Sequence, residues 1–367
     1  MLADAPERYC VMGVPIDRIE METVIDRIDS AVLSRQRLLI STVNTNFLIA
    51  NQLKSRFRDS LVASDLCTAD GVGVLLICRM LAINISTRVT GADILEHICS
   101  RTASRLGRPL RLFLLGGAPG VAEAASRLVN AKGSAAVCCV GALNPGFGDM
   151  DDLCRQSVID AINAAKPDFL VVSLGAERGQ EWLLRNASRL EVPVCSHLGA
   201  ALNFLAGTVK RAPQGWRAMG LEWLWRIVEE PKLAARYLRD GTGLASLLLL
   251  KTLPMAVMRR WEQHVGKPTR PLTVSLTEFG DHTRIILDGP ATAAHAALLR
   301  ERFRKACDLG RDIELDLNGL DTIDSAGLGQ ILRLLADVTS LGLKLGITGI
   351  LPRIERRLKL EAVAWLC

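Results

Sequence analysis

Short apolar runs rich in β-branched residues recur between residues 38 and 199: LLISTVN (38–44), RLFLLGG (111–117), AVCCVGAL (136–143), DFLVVSLG (168–175) and VPVCSHLG (192–199). Continuous apolar character of this kind predicts strands buried on both faces. The segments between them, such as PGVAEAASRLVNAKG, carry helical spacing with Gly or Pro at their ends. Repeated strand–helix alternation predicts an α/β fold, a parallel sheet covered by helices on both sides. Ligands of such sheets bind beyond the carboxyl ends of the strands. Thr42 and Asn44, Gly116 and Gly117, and Gly175 fall at those ends.

The pattern changes after residue 205. Residues 206–263 read as a helical appendage, basic and rich in tryptophan, appended to a first domain of residues 1–205. Its run LASLLLLKTLPMAVM is apolar for about fourteen residues and is interrupted by Lys251 and Pro254. That is short of the roughly 20 residues a bilayer span needs, so the segment is expected to lie on a membrane rather than cross it. HVGKPTRP (264–271) has linker character. Residues 272–367 then restart as a second, mixed α/β domain: TVSLTEFG, TRIILDG, a helix AAHAALLRERFRKACDLG, a strand IELDLNGL, a helix after DTIDS, and LKLGITGI.

Composition narrows the function classes. A hydrophobic fraction of 49% and a mean hydropathy of +0.22 leave ample core material and argue against large-scale disorder. The ten cysteines are scattered, without a CxxC pair or metal-ligand spacing to histidine, so they read as small hydrophobes in a reducing, cytoplasmic setting. MLADAPERYC lacks the basic and apolar regions of a signal peptide. The net charge is +6, yet residues 205–270 alone hold twelve Lys or Arg against five Asp or Glu. An anionic partner is expected there.

Several motifs offer chemistry. In TADGVGV (68–74), Asp70 precedes an apolar helical run. It suits an N-cap, and equally a carboxylate facing a cleft, although the positive helix end would lower its pKa and weaken it as a base. Thr42 and Asn44 share one side of a strand end, suited to a sugar hydroxyl or to satisfying backbone groups where the strand stops. GGAPG (116–120) is a glycine turn able to bring backbone N–H groups near a phosphate. It lacks the GxGxxG spacing of a dinucleotide fingerprint, which argues against a nicotinamide oxidoreductase. Asp149 and Asp151 form a D-x-D pattern that fits metal binding or helix capping. Trp216, Trp223, Trp225, Tyr237 and Trp261, interleaved with Arg211, Arg217, Arg226, Arg236 and Arg239, suit a membrane interface and a diphosphate better than nucleic acid.

Taken in order, TVN, TADGVGV, RVTGAD (88–93), LFLLGGAPGVAEAA, PDFLVVSLGA, KRAP (210–213) and GLEWLWRIVEEPKLAARY (220–237) resemble the WecG/TagA/CpsF glycosyltransferases, family 26. The resemblance covers residues 10 to 240. It implies a Rossmann-like sheet and an inverting, metal-independent transfer of a sugar from a UDP-sugar to a polyprenyl-diphosphate-linked acceptor, with no cofactor. It places the candidate base on Asp70 and active-site polar groups on Thr42 and Asn44. Arg88 and Asp93 fall in RVTGAD, Gly116 and Gly117 and the 197–204 region at the nucleotide, and Arg211, Arg226 and Arg236 at the lipid diphosphate. Two departures stand out. GAERGQEW (175–182) lacks the family's proline and displaces its glutamine to Gln180, and Asn203 stands where an aspartate is expected.

LDLNGLDTIDSAGLGQIL (315–332) resembles a STAS domain, the fold of anti-sigma-factor antagonists. That resemblance puts Ser325 at the serine phosphorylated in regulatory members. Ser325 would otherwise cap a helix starting near Ala326. The combined expectation is a cytoplasmic glycosyltransferase, peripheral on the inner face of the membrane. Its STAS module would dock a protein partner, self-association stays open, and a noncatalytic nucleotide-sugar sensor is the alternative. N-acetylmannosamine, its uronic acid and glucuronic acid all fit as the donor sugar.

Overall fold

A computed structural model describes residues 5–265 and 270–366. Residues 266–269 of the expected linker and the Trp261 side chain lie outside the described residues. The chain opens with a hairpin, β1 (Arg8–Val11) and β2 (Val14–Asp17). Its two-residue turn, Met12–Gly13, has φ of 51° and 82°, the doubly positive geometry that matches the twist of a tight hairpin. Gly13 has a second reason to lack a side chain, since a Cβ there would lie 2.6 Å from the carbonyl oxygen of Ala362.

Six strands then form one parallel sheet: β3 (Leu38–Val43), β4 (Leu66–Ala69), β5 (Leu110–Gly116), β6 (Val137–Leu143), β7 (Phe169–Ser173) and β8 (Val194–His197), in the order β4-β3-β8-β7-β5-β6. The five strands expected from apolar runs are present. The sixth, β4, is only four residues long and lies directly before Asp70. From β3 the chain steps outward to β4 at one edge, and from β5 outward to β6 at the other. The crevice between these diverging connections lies at the carboxyl ends of the strands, where ligands of such sheets bind. Helices cover both faces, and two apolar cores result, one around Ile40, Leu112, Leu114 and Val171, the other around Leu39, Phe113, Leu170 and Trp182.

The interruption of the apolar run at Lys251 and Pro254 does not interrupt the helix, which is longer than the run alone implied. Pro231–Arg260 is one continuous 30-residue helix, long and apolar enough by length and composition to cross a bilayer. A π-helical turn at Leu248–Thr252, closed by the Leu253 N–H donating to the Leu248 carbonyl, precedes Pro254, a widening that accommodates the proline in the helix. One face packs on the sheet domain through Leu247, Thr252 and Met255, all buried. Lys251 Nζ donates to Gln52 Oε1 at 2.6 Å, and Asn46 donates to Asp240 at 3.0 Å.

The last domain is a four-stranded sheet of β9 (Thr273–Glu278), β10 (His282–Ala291), β11 (Asp312–Ile323) and β12 (Leu345–Thr348), ordered β12-β11-β10-β9 and parallel except for β9. Its helix Ser325–Ser340 lies on the N-terminal hairpin. At Gly329 a Cβ would sit 2.2 Å from the carbonyl oxygen of Arg8, so only glycine permits this approach. Arg8 donates twice to Asp17, at 2.9 and 2.8 Å, and Arg333 reaches Asp17 from the last domain at 3.3 Å. Asp17 also accepts the Cys67 backbone N–H at 2.8 Å. One buried carboxylate thereby ties hairpin, sheet and last domain together.

Candidate active site

Asp70 follows β4 at the sheet edge, its backbone N–H held by the Val43 carbonyl at 2.7 Å. The expected capping role is not what it does. The next residue, Gly71, has φ of 118° and is itself the N-cap position of the helix Val72–Met80, which has no side-chain cap. The turn carries the Asp70 side chain away from that helix toward Gly91, whose N–H donates to Oδ2 at 3.4 Å. Residues 88–90 are held there because Val89 pairs by its N–H with the Ala69 carbonyl at 2.9 Å, and Thr68 Oγ1 donates to the Val89 carbonyl at 2.8 Å.

Burial, not the helix end, dominates the Asp70 carboxyl. Desolvation raises it from 3.8 to about 7. The Gly91 N–H and Arg88 pull it down, and the negative charges of Glu222 and Asp93 push it further up. The lowered value expected from the helix terminus is thus reversed, because the missing solvent costs the anion more than the weak Gly91 contact returns. The residue as a whole keeps partial solvent exposure. A carboxyl titrating near neutrality is matched to general-base work.

Around it the structure gathers Thr42, Arg88, Asp93 and Arg211. Thr42 is buried at the end of β3, with its hydroxyl against Gly91, where a Cβ would come within 3.3 Å of it. Thr90 caps the helix Gly91–Ser100, accepting from the Asp93 N–H at 3.0 Å and donating to Asp93 Oδ2 at 2.8 Å. Burial alone would raise the Asp93 carboxyl, but the Thr90 hydroxyl and Arg211 together leave it below its ordinary value. Arg211, expected to grip a diphosphate, is instead engaged by Asp93 and Glu96, with Glu222 3.6 Å from its Nε. In this arrangement it anchors the appendage beside Asp70.

Other expected site residues are placed differently. Asn44 caps the helix Thr45–Leu53, accepting from the Phe47 N–H at 3.2 Å. Gln180 is a correction: it is fully buried in the helix Ala176–Asn186 and exchanges hydrogen bonds with Ser41 at 2.9 and 3.2 Å, inside the layer rather than at the crevice. The preceding Gly179 leaves room for His197, whose Cδ2 would lie 2.1 Å from a Cβ at 179. Burial lowers His197 to about 4, so its ring is neutral. Asp149 caps the helix Met150–Leu153 and Asp151 pairs with Arg185 at 2.9 Å. Among the described residues no cluster of three His, Cys, Asp or Glu is spaced to hold a metal ion.

The glycine turn forms a second cluster. Gly116, Gly117 and Gly120 have φ of 98°, 82° and 82°, and the helix Val121–Ala131 starts without a side-chain cap; the Gly117 and Val121 N–H groups donate to the Ser173 and Ala118 carbonyls at 2.8 and 3.0 Å, which leaves those of Ala122 and Glu123 to face an anion. Leu202, from the short helix Ala201–Leu205 that also carries Asn203, packs on Gly117. Arg226 lies over the Phe204 ring at 5.4 Å and pairs with Glu230 at 3.2 Å. Arg236 is exposed beside Tyr237, 5.1 Å from its ring centre. Asp70 and the turn stand four strand positions apart, on the order of 19 Å at ~4.8 Å per strand. An extended ligand, not a bare phosphate, is needed to touch both. Two cavities of about 430 and 300 Å³ lie elsewhere, one at the opposite strand ends beside Arg37 and Cys195, the other beside Arg18 and Thr87.

Ser325 also differs from expectation. Asp324 is the cap of its helix, accepting from Ala326 and Gly327 N–H at 2.9 Å each. Ser325 is 1% exposed, donates to Glu361 at 3.2 Å and accepts from Arg259 at the end of the long appendage helix.

The sheet domain is thus a six-stranded parallel α/β sheet with Asp70 at the carboxyl end of β4 and an uncapped glycine turn at the end of β5. The glycosyl transferase WecG/TagA/CpsF family profile matches residues 9–256, and the chain belongs to that family; the STAS domain profile matches residues 273–364. Similar curated proteins include the N-acetylglucosaminyldiphosphoundecaprenol N-acetyl-beta-D-mannosaminyltransferases of Staphylococcus aureus strains MW2 and NCTC 8325. Each is 25% identical over 228 residues, covering 62% of this chain and 86% of theirs. A solved structure of the anti-sigma factor antagonist SpoIIAA in its unphosphorylated form aligns with 24% of this chain and 82% of its own, at 17% identity and a TM-score of 0.22.

Proposed function

We propose that this protein is an inverting, metal-independent glycosyltransferase that moves a sugar from a UDP-sugar to a polyprenyl-diphosphate-linked sugar in bacterial surface polysaccharide synthesis. The observation that carries the reading is the placement of Asp70 directly after the carboxyl end of β4, its carboxyl turned toward Gly91 and raised to about 7 by burial. Such a group takes the proton of an attacking hydroxyl while UDP departs from the opposite face of the sugar, which needs one base and no covalent intermediate. The glycine turn and residues 197–204 hold the diphosphate and nucleotide, with Arg226 over Phe204, and the exposed Arg236 serves the lipid diphosphate. The similar curated enzymes act on N-acetylglucosaminyldiphosphoundecaprenol, which makes the same acceptor and an N-acetylmannosamine donor the first pair to test. Transfer from UDP-N-acetylmannosamine to a short-chain diphospholipid carrying N-acetylglucosamine is expected to release UDP in the presence of EDTA. Binding of UDP-sugars without turnover of any of them would replace this reading with a nucleotide-sugar sensor that signals through the STAS domain.

The site is peripheral on the cytoplasmic membrane face in this reading. Opposite its packed face, the long helix exposes Leu249, Leu250 and Val257 at 65, 70 and 60%, and Trp223, Val228 and Leu238 continue the apolar surface. Arginines beside such a surface meet anionic headgroups. Replacing Leu249 and Leu250 together by Glu removes two leucines, each contributing about 1.5–3 kcal/mol when fully buried. Co-sedimentation with vesicles containing phosphatidylglycerol is expected to fall at least tenfold, and unchanged partitioning counts against a lipid-facing role for this helix. The STAS domain regulates by docking in cis. With Ser325 sealed between Glu361 and Arg259, a kinase reaches it only when that junction opens.

A further inference from the structure

We propose that the donor sugar is uncharged: the strand-end crevice takes a neutral hexose or N-acetylhexosamine and discriminates against the uronic acid of the same sugar. The inference deepens the transferase reading and rests on it.

In that reading the donor sugar lies between Asp70, after β4, and the glycine turn, after β5. Three strands separate the two, and the connections from β3, β8 and β7 to their helices are Asn44, residues 198–200 and residues 174–175. None of these residues carries a formal charge. Ser173, which ends β7, donates to the Gly199 carbonyl at 2.6 Å. His197, which ends β8, is buried and neutral, and its Nε2 has no hydrogen-bond partner. A carboxylate only accepts hydrogen bonds, whereas a sugar hydroxyl both donates and accepts. Neutral groups of this kind suit the hydroxyl, and they bring no cation to a carboxylate.

Cations are present at the Asp70 end, but carboxylates already match them. Arg211 engages Asp93 and Glu96 and has Glu222 3.6 Å from its Nε. Arg217 reaches Glu96 at 3.1 Å and Asp93 at 3.7 Å, while Arg88 has Glu222 at 3.9 Å and donates to the Arg217 carbonyl at 3.3 Å. Three guanidiniums therefore face three carboxylates. Asp70, held to Gly91 at the start of the helix that carries Asp93 and Glu96, becomes a fourth carboxylate when it ionises to act as the base. A uronate would bring one more negative charge to a cluster with no cation left to balance it, and specificity is commonly built from such repulsion. Lys210 and Arg178 are exposed, where water and salt leave a lone base little hold on a carboxylate.

The experiment compares UDP-N-acetylmannosamine with UDP-N-acetylmannosaminuronate, which differ only at C6, and UDP-glucose with UDP-glucuronate as a second pair. Transfer to the short-chain diphospholipid carrying N-acetylglucosamine and calorimetric binding to the full chain are both measured at pH 8. The neutral member is expected to bind at least about tenfold more tightly and to be favoured at least as much in kcat/KM. Glu96→Gln, which leaves three guanidiniums facing two of their carboxylates, is expected to narrow that gap several-fold. Equal use of both members, preference for the uronate, or a gap that Glu96→Gln leaves unchanged overturns the proposal while the transferase reading stands. Absence of turnover with every donor counts against the transferase reading instead, and the binding arm then still decides whether the crevice discriminates by charge.

Discussion

Asp70→Asn is expected to lower sugar transfer by about 10²–10⁴-fold, the usual contribution of a positioned general base, while the protein folds as before. The amide keeps the shape of the side chain and can still accept from the Gly91 N–H. It cannot take a proton. In the parent enzyme, kcat/KM should fall tenfold per pH unit below about 7 and level off above it, because the free enzyme must present the ionised carboxylate. Stability should respond in the opposite sense. The carboxyl titrates at 3.8 ordinarily and at about 7 in the fold, so between these values the native state holds a proton the unfolded chain has released. This group's contribution therefore declines as pH rises from about 4 to 7. Asp70→Asn lacks that decline, and its Tm is expected to equal or exceed the parent's at pH 8 while matching it more closely at pH 4. Parent-like turnover at any pH would sink the assignment of Asp70.

The motif in which Asp70 sits was legible in the sequence, whereas its raised titration and its orientation were not. The strands β3 and β5 to β8 were legible because each is apolar on both faces over several residues. The four-residue β4 was hidden in the text that seemed to start a helix. Its absence made Asp70 look like a cap, when Gly71 at φ 118° turns the carboxylate toward Gly91. The hairpin at Met12–Gly13 was illegible for a related reason, since methionine is no turn residue and its positive φ is imposed by the packing around it. The basic appendage was visible as charge, but its pairing was not. Arg211 meets Asp93 and Glu96 from more than a hundred residues away, and only the folded chain shows that these carboxylates neutralise it. Gln180 was assigned by motif register, and its helix turns it inward to Ser41. Glu222 stood in plain view within GLEW, with no local signal that it faces Arg88.

The largest expected loss of stability comes from Asp17→Ala. Asp17 is 1% exposed and Arg8 is 3% exposed, so removing the carboxylate leaves a buried guanidinium facing only the Ser64 and Asp65 carbonyls, at 3.3 and 2.8 Å. The Cys67 N–H loses its acceptor and Arg333 its charged partner across the domain boundary. Breaking a buried pair by removing one partner costs about 3–5 kcal/mol, a large share of the stability of an ordinary domain. Urea unfolding of the full chain should show that loss, and Asp17→Asn, which keeps an acceptor for Cys67, should lose less. A cost below about 1 kcal/mol would mean that Asp17 does not tie its three donors, Arg8, Cys67 and Arg333, together. The position of the loss matters as much as its size. Arg333 and Gly329 lie on the same helix as Ser325, and Gly329 seats that helix on the Arg8 backbone. Weakening the Asp17 tie therefore favours a state in which the helix lifts off β1. Amide exchange in Ser325–Ser340 is expected to speed up in Asp17→Ala more than in the sheet around β5 and β7, and a mimic of phosphorylation, Ser325→Glu, should produce the same pattern by placing a second carboxylate against Glu361.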